Sequence, residues 1–146
     1  MLVGLALLGA PGCEQDETCE EDVRAQVLDE RVTLELGDET LEAELADEPT
    51  ERERGWRHRR CDREGLLLVP DAPGELPIWG CGLTAPIDLH LLRDAMVVEV
   101  VRDLPPCELP CDACPVVGEG RVVDAVLETP AGALMAEPGA PVDGLP

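Results

Sequence analysis

The sequence predicts an α+β fold, mostly antiparallel β, as a small barrel-like or half-barrel sheet with one main helix near residues 49–60. Three observations carry that expectation. Val32, Leu34 and Leu36 alternate with Thr33 and Glu35, and after Gly37-Asp38-Glu39-Thr40 the alternation resumes at Leu41, Ala43 and Leu45. Side chains two apart share one face of a strand, so this is a β-hairpin with one apolar and one acidic face. Apolar or alternating runs then recur at Gly65–Val69, Ile87–Leu91, Met96–Val101 and Val122–Leu127, with turn-rich links between them. Helix signals gather at one place, where Asp47 and Glu48 precede Pro49 and a charged stretch follows.

The hairpin's glutamates, Glu35, Glu42 and Glu44, need water or an arginine partner, because unpaired like charges across a ladder are destabilising. The helix offers candidates. Arg52, Arg54, Arg57, Arg59, Arg60 and Arg63 stand against only Glu53 and Asp62, in a chain whose net charge is −21. These arginines form either a charged face paired with nearby carboxylates or, through Arg52, Arg57, Arg59 and Arg60, a docking patch for anionic headgroups or an acidic partner. Trp56 is the one large apolar side chain there and is expected to anchor the helix on the core.

Composition bounds the rest. A length of 146 residues suits one domain with a tail. With two Trp and neither Phe nor Tyr, the core must come from Leu, Val, Ile and Ala, each burying less than an aromatic. The acidic balance excludes nucleic acid as a partner, since phosphate binding needs a basic surface. Seven cysteines in a chain of this size point to disulfide cross-linking in an oxidising compartment.

The N-terminus carries an address. Residues 1–12 are uncharged and apolar, too short to span a bilayer but suited to the apolar region of a secretory signal. Small residues Ala10-Pro11-Gly12 precede Cys13, and an abrupt acidic run follows. The arrangement resembles a bacterial lipoprotein signal, which implies acylation of Cys13 and a protein exported and membrane-anchored, facing the periplasm or the cell exterior. The expected organisation is a signal over 1–12, an acidic tether over 13–30, a globular domain over 31–136 and a Pro/Gly-rich tail over 137–146.

The stretch from Glu75 to Leu92 organises the domain. Leu76, Ile78 and Trp79 are expected in the core, Gly80-Cys81-Gly82 must bend, and Ile87, Leu89 and Leu91 oppose Asp88 and His90 across a strand. Ile78-Trp79-Gly80-Cys81-Gly82-Leu83 followed by Pro86-Ile87-Asp88 resembles the prokaryotic domain-of-unknown-function family numbered 192. That family has Phe-Trp-Met-Lys-Asn-Thr and Pro-Leu-Asp at these places. Arg54-Gly55-Trp56-Arg57 with Arg59 resembles its Arg-Gly-Leu-Met segment, Gly65-Leu66-Leu67-Leu68 its Gly-Met-Leu-Phe, Cys107 with Cys114-Pro115 its cysteine pair, and Glu128 with Ala131-Gly132 its ending. The resemblance spans roughly residues 40–135, marks Gly55, Gly65, Trp79, Pro86 and Asp88 as motif positions, and implies a fold and an envelope setting without an activity. Where the family has Met-Lys-Asn this chain has Gly80-Cys81-Gly82, so the ammonium and amide of that loop are gone.

Several constellations could carry chemistry. Cys107-x3-Cys111-x2-Cys114 has iron–sulfur spacing but lacks the large barrel that such enzymes need. Cys111 and Cys114 could be a redox pair. Cys107, Cys111 and Cys114 with His58 or His90 could hold zinc, although an oxidising compartment favours disulfides. Asp88 and His90 could form an acid–base dyad, yet no nucleophile is placed beside them; the simpler role for Asp88 is to cap backbone N–H groups or an indole N–H. The leading expectation is a non-enzymatic envelope lipoprotein, binding or accessory in role, with no cofactor, no metal and no catalytic residue, held to the membrane by lipid and meeting an envelope protein. The alternative is an exported thiol-redox or metal-binding module, or an enzyme using Asp88.

With Cys13 acylated, the candidates for disulfides are Cys19, Cys61, Cys81, Cys107, Cys111 and Cys114. The resemblance implies Cys107 with Cys114. Cys61 and Cys81 stand where the family has no cysteine, next to motif regions expected to pack together, and are expected to pair. Cys19 is then left for Cys111.

Overall fold

The computed structural model describes residues 19–146. The expected signal peptide and Cys13 lie outside the described residues. A seven-stranded sheet dominates, built from β1 (Arg31–Leu36), β2 (Glu39–Ala46), β3 (Gly65–Leu68), β5 (Ile87–Arg93), β6 (Met96–Leu104), β8 (Ala125–Pro130) and β9 (Val142–Asp143). The strand order is β6-β5-β8-β3-β2-β1-β9, and a separate pair joins β4 (Ile78–Trp79) to β7 (Val116–Val117). Every pairing is antiparallel except β2 with β3, where Ala43–Ala46 run parallel to Gly65–Leu68. Parallel neighbours need a crossover, and the helix α1 (Pro49–Arg54) with its trailing turns supplies it.

The sheet curls until its edges meet. Ala140 accepts from the Val97 N–H at 2.9 Å, Gly139 donates to the Val97 carbonyl at 2.8 Å, and the Val142 N–H reaches the Ala95 carbonyl at 2.9 Å. The segment expected to be a loose tail therefore joins β1 at one edge of the sheet and β6 at the other. One apolar cluster takes residues from all seven strands, among them Leu34, Leu36, Leu67, Leu92, Val97, Leu127 and Val142, and so fills the inside of the curl. A second cluster, including Leu66, Leu68, Ile87, Leu89, Leu91 and Val126, covers the opposite face of β3, β5 and β8 and is capped by Trp56 and Leu83. Aliphatic side chains alone thus build a two-layer core, as the composition requires.

The helix is shorter than expected. The Glu48 N–H donates to the Glu51 side chain at 3.2 Å, and Pro49 fills the first turn. Gly55 then leaves helical space at φ 48° while its N–H closes on the Glu51 carbonyl. The chain continues in turns in which the His58 N–H bonds the Gly82 carbonyl at 2.7 Å rather than a helical partner. Trp56 is buried as expected, but in this turn and not on the helix.

Residues 19–30 are not a free spacer. Cys19 is bonded to Cys61, the Glu21 carboxylate accepts from the Arg60 and Cys61 N–H groups and from the Arg63 guanidinium, and buried Gln26 donates to the Glu51 and Gly55 carbonyls. This segment has no hydrophobic period to reveal it. It is held by a disulfide and by polar contacts with the arginine-rich turn.

Candidate functional site

Strand β8 presents Ala125 and Leu127 to the inside of the curl and Val126 and Glu128 to the other face. Glu128 lies between strands that are apolar at its level, opposite Leu66 on one side and Leu89 on the other. The turn after α1 covers it, so its residue is only 3% exposed. Gly55 permits that closeness, since a Cβ there would stand 3.4 Å from Oε2 and the backbone is at positive φ. Burial pushes the Glu128 carboxyl up to about 7, against the pull of the Arg59 charge and the Trp56 backbone N–H. Its Oε2 has no hydrogen-bond partner among the described residues.

A cleft of about 70 Å³ opens over this carboxyl. Pro77, Ile78, Trp79 and Leu83 form one wall, while Gly55, Trp56 and the side chains of Arg52, Arg54 and Arg57 form the other. Trp79 is half-buried and lines the cleft instead of anchoring the core, because β4 pairs with β7 outside the main sheet. The glycines after it serve packing. A Cβ on Gly80 would collide with the Pro105 carbonyl, and the segment after β6 is held there because the Cys107 N–H is bonded to the Gly80 carbonyl at 2.9 Å. Gly82 lies under Arg57, whose Nε would be 3.0 Å from a Cβ there.

The arginines divide their work. Arg59 is 2% exposed: it donates to Glu44 at 2.8 Å and to the Gln26 carbonyl at 3.2 Å, with its guanidinium 4.8 Å from the Trp56 ring centre. It therefore cannot belong to a docking patch. Arg60 is exposed but pairs with Asp22 at 3.2 Å, and Arg63 with Glu21 at 3.3 Å. Arg52 donates to the Asp47 and Val69 carbonyls. The hairpin glutamates find arginines as expected, Glu42 near Arg31 at 3.6 Å and Glu44 at Arg59, while Glu35 stays exposed. Arg54 is exposed and has no ion-pair partner among the described residues.

Asp88 is a structural cap. Its Oδ1 accepts from the Asp103 N–H at 2.9 Å, and its Oδ2 from the Arg102 guanidinium and the Gly132 N–H, each at 2.9 Å. Burial pushes this carboxyl up, but the two backbone donors and Arg102 outweigh it and hold it below the usual carboxylate range. The partners are backbone groups as expected, but not the Trp79 indole. His90 shares the face of Asp88, fully buried inside the curl. Burial, with the Arg102 charge, holds it below its ordinary value, and neither ring nitrogen makes a well-formed hydrogen bond although the Leu127 backbone adjoins it. All three donors to Asp88 are thus accounted for without His90. Pro86 precedes β5 and accepts from the Ala131 N–H at 3.3 Å, and Gly65 opens β3.

The cysteines pair as Cys19–Cys61, Cys81–Cys111 and Cys107–Cys114. The last follows the expectation, and the other two correct it. Residues 80–82 lie against the 105–107 segment, with Cys81 bridged to Cys107 in backbone pairing, so Cys111 is the thiol within reach of Cys81. Cys61 instead sits beside the Glu21 carboxylate with Cys19. Cys111 and Cys114 are not bonded to each other; each is joined to a different cysteine. The six described cysteines are all taken up in these bonds, and among the described residues no three His, Cys, Asp or Glu side chains gather in a group that could hold a metal ion. Sequence reasoning singled out Trp79, Gly55 and the arginines but passed over Glu128 as a site. The signal was present: one glutamate directly after the apolar run Ala125-Val126-Leu127 of a strand.

Two solved structures share this architecture. A protein from Sinorhizobium meliloti 1021, described as a transcription regulator, superposes with a TM-score of 0.69 at 23% identity, over 82% of this chain and 98% of its own. One of unknown function from Novosphingobium aromaticivorans DSM 12444 gives 0.66 at 21%, over 77% of this chain and 84% of its own. These likenesses bear on the fold. No curated protein matches the chain. The family model DUF192, described as "Uncharacterized ACR, COG1430", matches residues 32–142, from the first strand through the strand that joins the edges of the curl. The chain belongs to the DUF192 family.

Proposed function

We propose that this protein is an exported, lipid-anchored DUF192 domain that acts by binding, with the cleft over Glu128 as its binding face. One observation carries the reading. All six cysteines of the described residues are joined in three disulfides, which fits an oxidising compartment and leaves none of them as a partner for Cys13. That cysteine follows the secretory-type stretch and has its own chemistry in a lipoprotein.

Anchoring at Cys13 places the domain close to the membrane. Cys19 is bonded to the domain at Cys61, so only residues 14–18 separate the lipid from a fixed point. Even fully extended, that span is about 20 Å. Two or more acyl chains make such an anchor stable, where a single chain binds marginally. Nucleic acid is not a partner in this reading, and the description of the Sinorhizobium protein is not carried over, because a net charge of −21 opposes phosphate binding. Mass analysis of the N-terminal peptide from membrane-purified protein tests the anchor. Diacylglycerol and acyl mass on Cys13, with release from membranes in Cys13→Ala, is expected; an unmodified Cys13 in membrane-purified protein ends the reading.

A further inference from the structure

Four cysteines gather where the bend after β4 meets the segment after β6. Cys81 and Cys107 are joined in backbone pairing, and Cys111 and Cys114 stand at the two ends of one short turn, so the Cys81–Cys111 and Cys107–Cys114 bonds are neighbours. The three disulfides of the described residues differ in what their sulfurs face. Arg57 Nη2 lies 3.9 Å from both Cys81 Sγ and Cys111 Sγ, and its Nε, over Gly82, meets no acceptor. Arg57 has no ion-pair partner among the described residues, so no carboxylate there neutralises the charge held against this bond.

The other two bonds meet oxygens. Cys114 Sγ faces the Leu109 and Pro110 carbonyl oxygens at 3.7 and 3.8 Å. Cys19–Cys61 stands beside Glu21, whose carboxylate takes the Cys61 N–H at 3.3 Å. A guanidinium stabilises a thiolate, whereas carbonyl and carboxylate oxygens oppose one. Glu108 and Asp112, near Cys111 in sequence, are exposed, where water and salt screen them. The sulfurs beside Arg57 are also unequal in access. Cys111 is exposed and Cys81 only 6% exposed, so an incoming thiolate reaches Cys111 and Cys81 is the sulfur that leaves.

We propose that Cys81–Cys111 is a thiol–disulfide exchange site that oxidises a dithiol and is entered at Cys111. One thiolate of the dithiol bonds to Cys111 Sγ, the Cys81–Cys111 bond breaks, and its electron pair stays on Cys81 as a thiolate facing Arg57. The second thiol of the substrate gives up its proton, attacks its partner sulfur in the mixed disulfide and frees Cys111. The substrate leaves as a disulfide, and Cys81 and Cys111 have gained the two electrons and two protons it lost. A single thiol does not complete the exchange. Cys81 stays beside Cys111, their Cα atoms 5.3 Å apart in the bonded form, and displaces it again. This goes beyond the binding reading and does not depend on lipid at Cys13.

The test uses the full disulfide-bonded chain under native conditions with dithiothreitol as the dithiol. Alkylation stops the reaction at set times, and peptide mass analysis reads each cysteine. Cys81 and Cys111 are expected to become labelled together and first, at least about tenfold faster than either other pair. Arg57→Gln should slow this step about tenfold and leave the other two bonds at their native rates, and Arg57→Lys should return most of the rate. The direction of that change separates chemistry from packing, because a turn merely loosened by loss of Arg57 would expose the bond and speed its reduction. If Arg57→Gln does not fold, the order of opening in the native chain decides. Opening of another bond first, or of all three in step, overturns the proposal, as does a rate in Arg57→Gln equal to or above the native one.

Discussion

Arg59 and Glu44 meet at 2.8 Å with both side chains removed from solvent, in a chain whose other arginines keep some contact with water. The Leu28 N–H adds a hydrogen bond of 2.7 Å to the same carboxylate, and the Trp56 ring lies against the guanidinium. One pair thus joins β2, the turn after α1 and the N-terminal segment. The same contact withdraws Arg59 from any surface role. A buried pair of this kind is near neutral against an apolar replacement, but breaking it leaves an uncompensated charge.

Arg59→Ala should therefore lose about 3–5 kcal/mol of unfolding free energy, whereas Arg59→Met with Glu44→Leu should recover much of it. Denaturant unfolding of the three variants and a double-mutant cycle would measure this. Equal stability of Arg59→Ala and the native chain would mean that the pair is not buried.

Glu128 makes stability fall with rising pH. Its folded carboxyl titrates near about 7 and its unfolded one near 4.5, so the folded state holds the extra proton between those values. The contribution is present in full below pH 4.5 and is lost as pH rises to about 7, a change of roughly 3 kcal/mol. Glu128→Gln should remove that slope. Chemical denaturation across the window, compared between the two proteins, would show it as a difference that grows with pH in favour of the glutamine form.

Asp88 works in the opposite sense. Its folded carboxyl lies below the ordinary 3.8, so its stabilisation is present at neutral pH and disappears as pH falls through the depressed value. Asp88→Asn keeps the shape but loses the charge facing Arg102 and one acceptor among three donors, so a loss of about 2–4 kcal/mol at pH 7 is expected. The gap to the native protein should narrow in acid. A gap that stayed constant into acid would show that the lost acceptor, and not the charge, sets the cost at this position.

The disulfide between Cys19 and Cys61 spans 42 residues of sequence and should be worth about 4 kcal/mol on the chain-entropy account. Peptide mapping without reductant should join the fragments holding Cys19 and Cys61, and those holding Cys81 and Cys111. Cys19→Ser with Cys61→Ser should lower the midpoint of unfolding and open residues 19–28 to proteolysis. Uncut termini in that variant would show that Glu21 and Gln26 hold the segment unaided.

Much of the sheet was legible because its signals are local. The alternation of Val32, Leu34 and Leu36, and of Leu41, Ala43 and Leu45, fixes the hairpin register observed, with Leu34 opposite Leu41. The all-apolar run Leu66-Leu67-Leu68 reads as a strand buried on both faces, and it is one. What the sequence hid depends on partners far along the chain. Strand β9 is two residues long and set among Pro and Gly, so no period announces it; its place comes from hydrogen bonds to β1. The helix signal ran on past Gly55 because the arginines behind it are good helix formers, and only the positive φ of that glycine stops it. Disulfide partners could not be read from motif proximity, since the 105–111 segment reaches Cys81 first. Glu128 looked like one acidic residue among many, because sequence gives its strand face but not the turn that seals it.

The closure of the curl by residues 139–142 has a consequence for how the chain matures. The segment that bonds β6 and β1 is made and delivered after every one of the six bonded cysteines. Oxidation can therefore run ahead of closure while the two edges of the sheet are still apart. Cys107 and Cys114, seven residues apart, can join from local encounter alone, whereas Cys19 must wait for Cys61 and then hold the crossover against β2. Until Gly139 arrives, the edges offered by β1 and β6 remain open to strands of other chains. A nascent molecule is thus most exposed to mispairing in the interval between its last disulfide and its last strand, and that is when a chaperone would have reason to hold it.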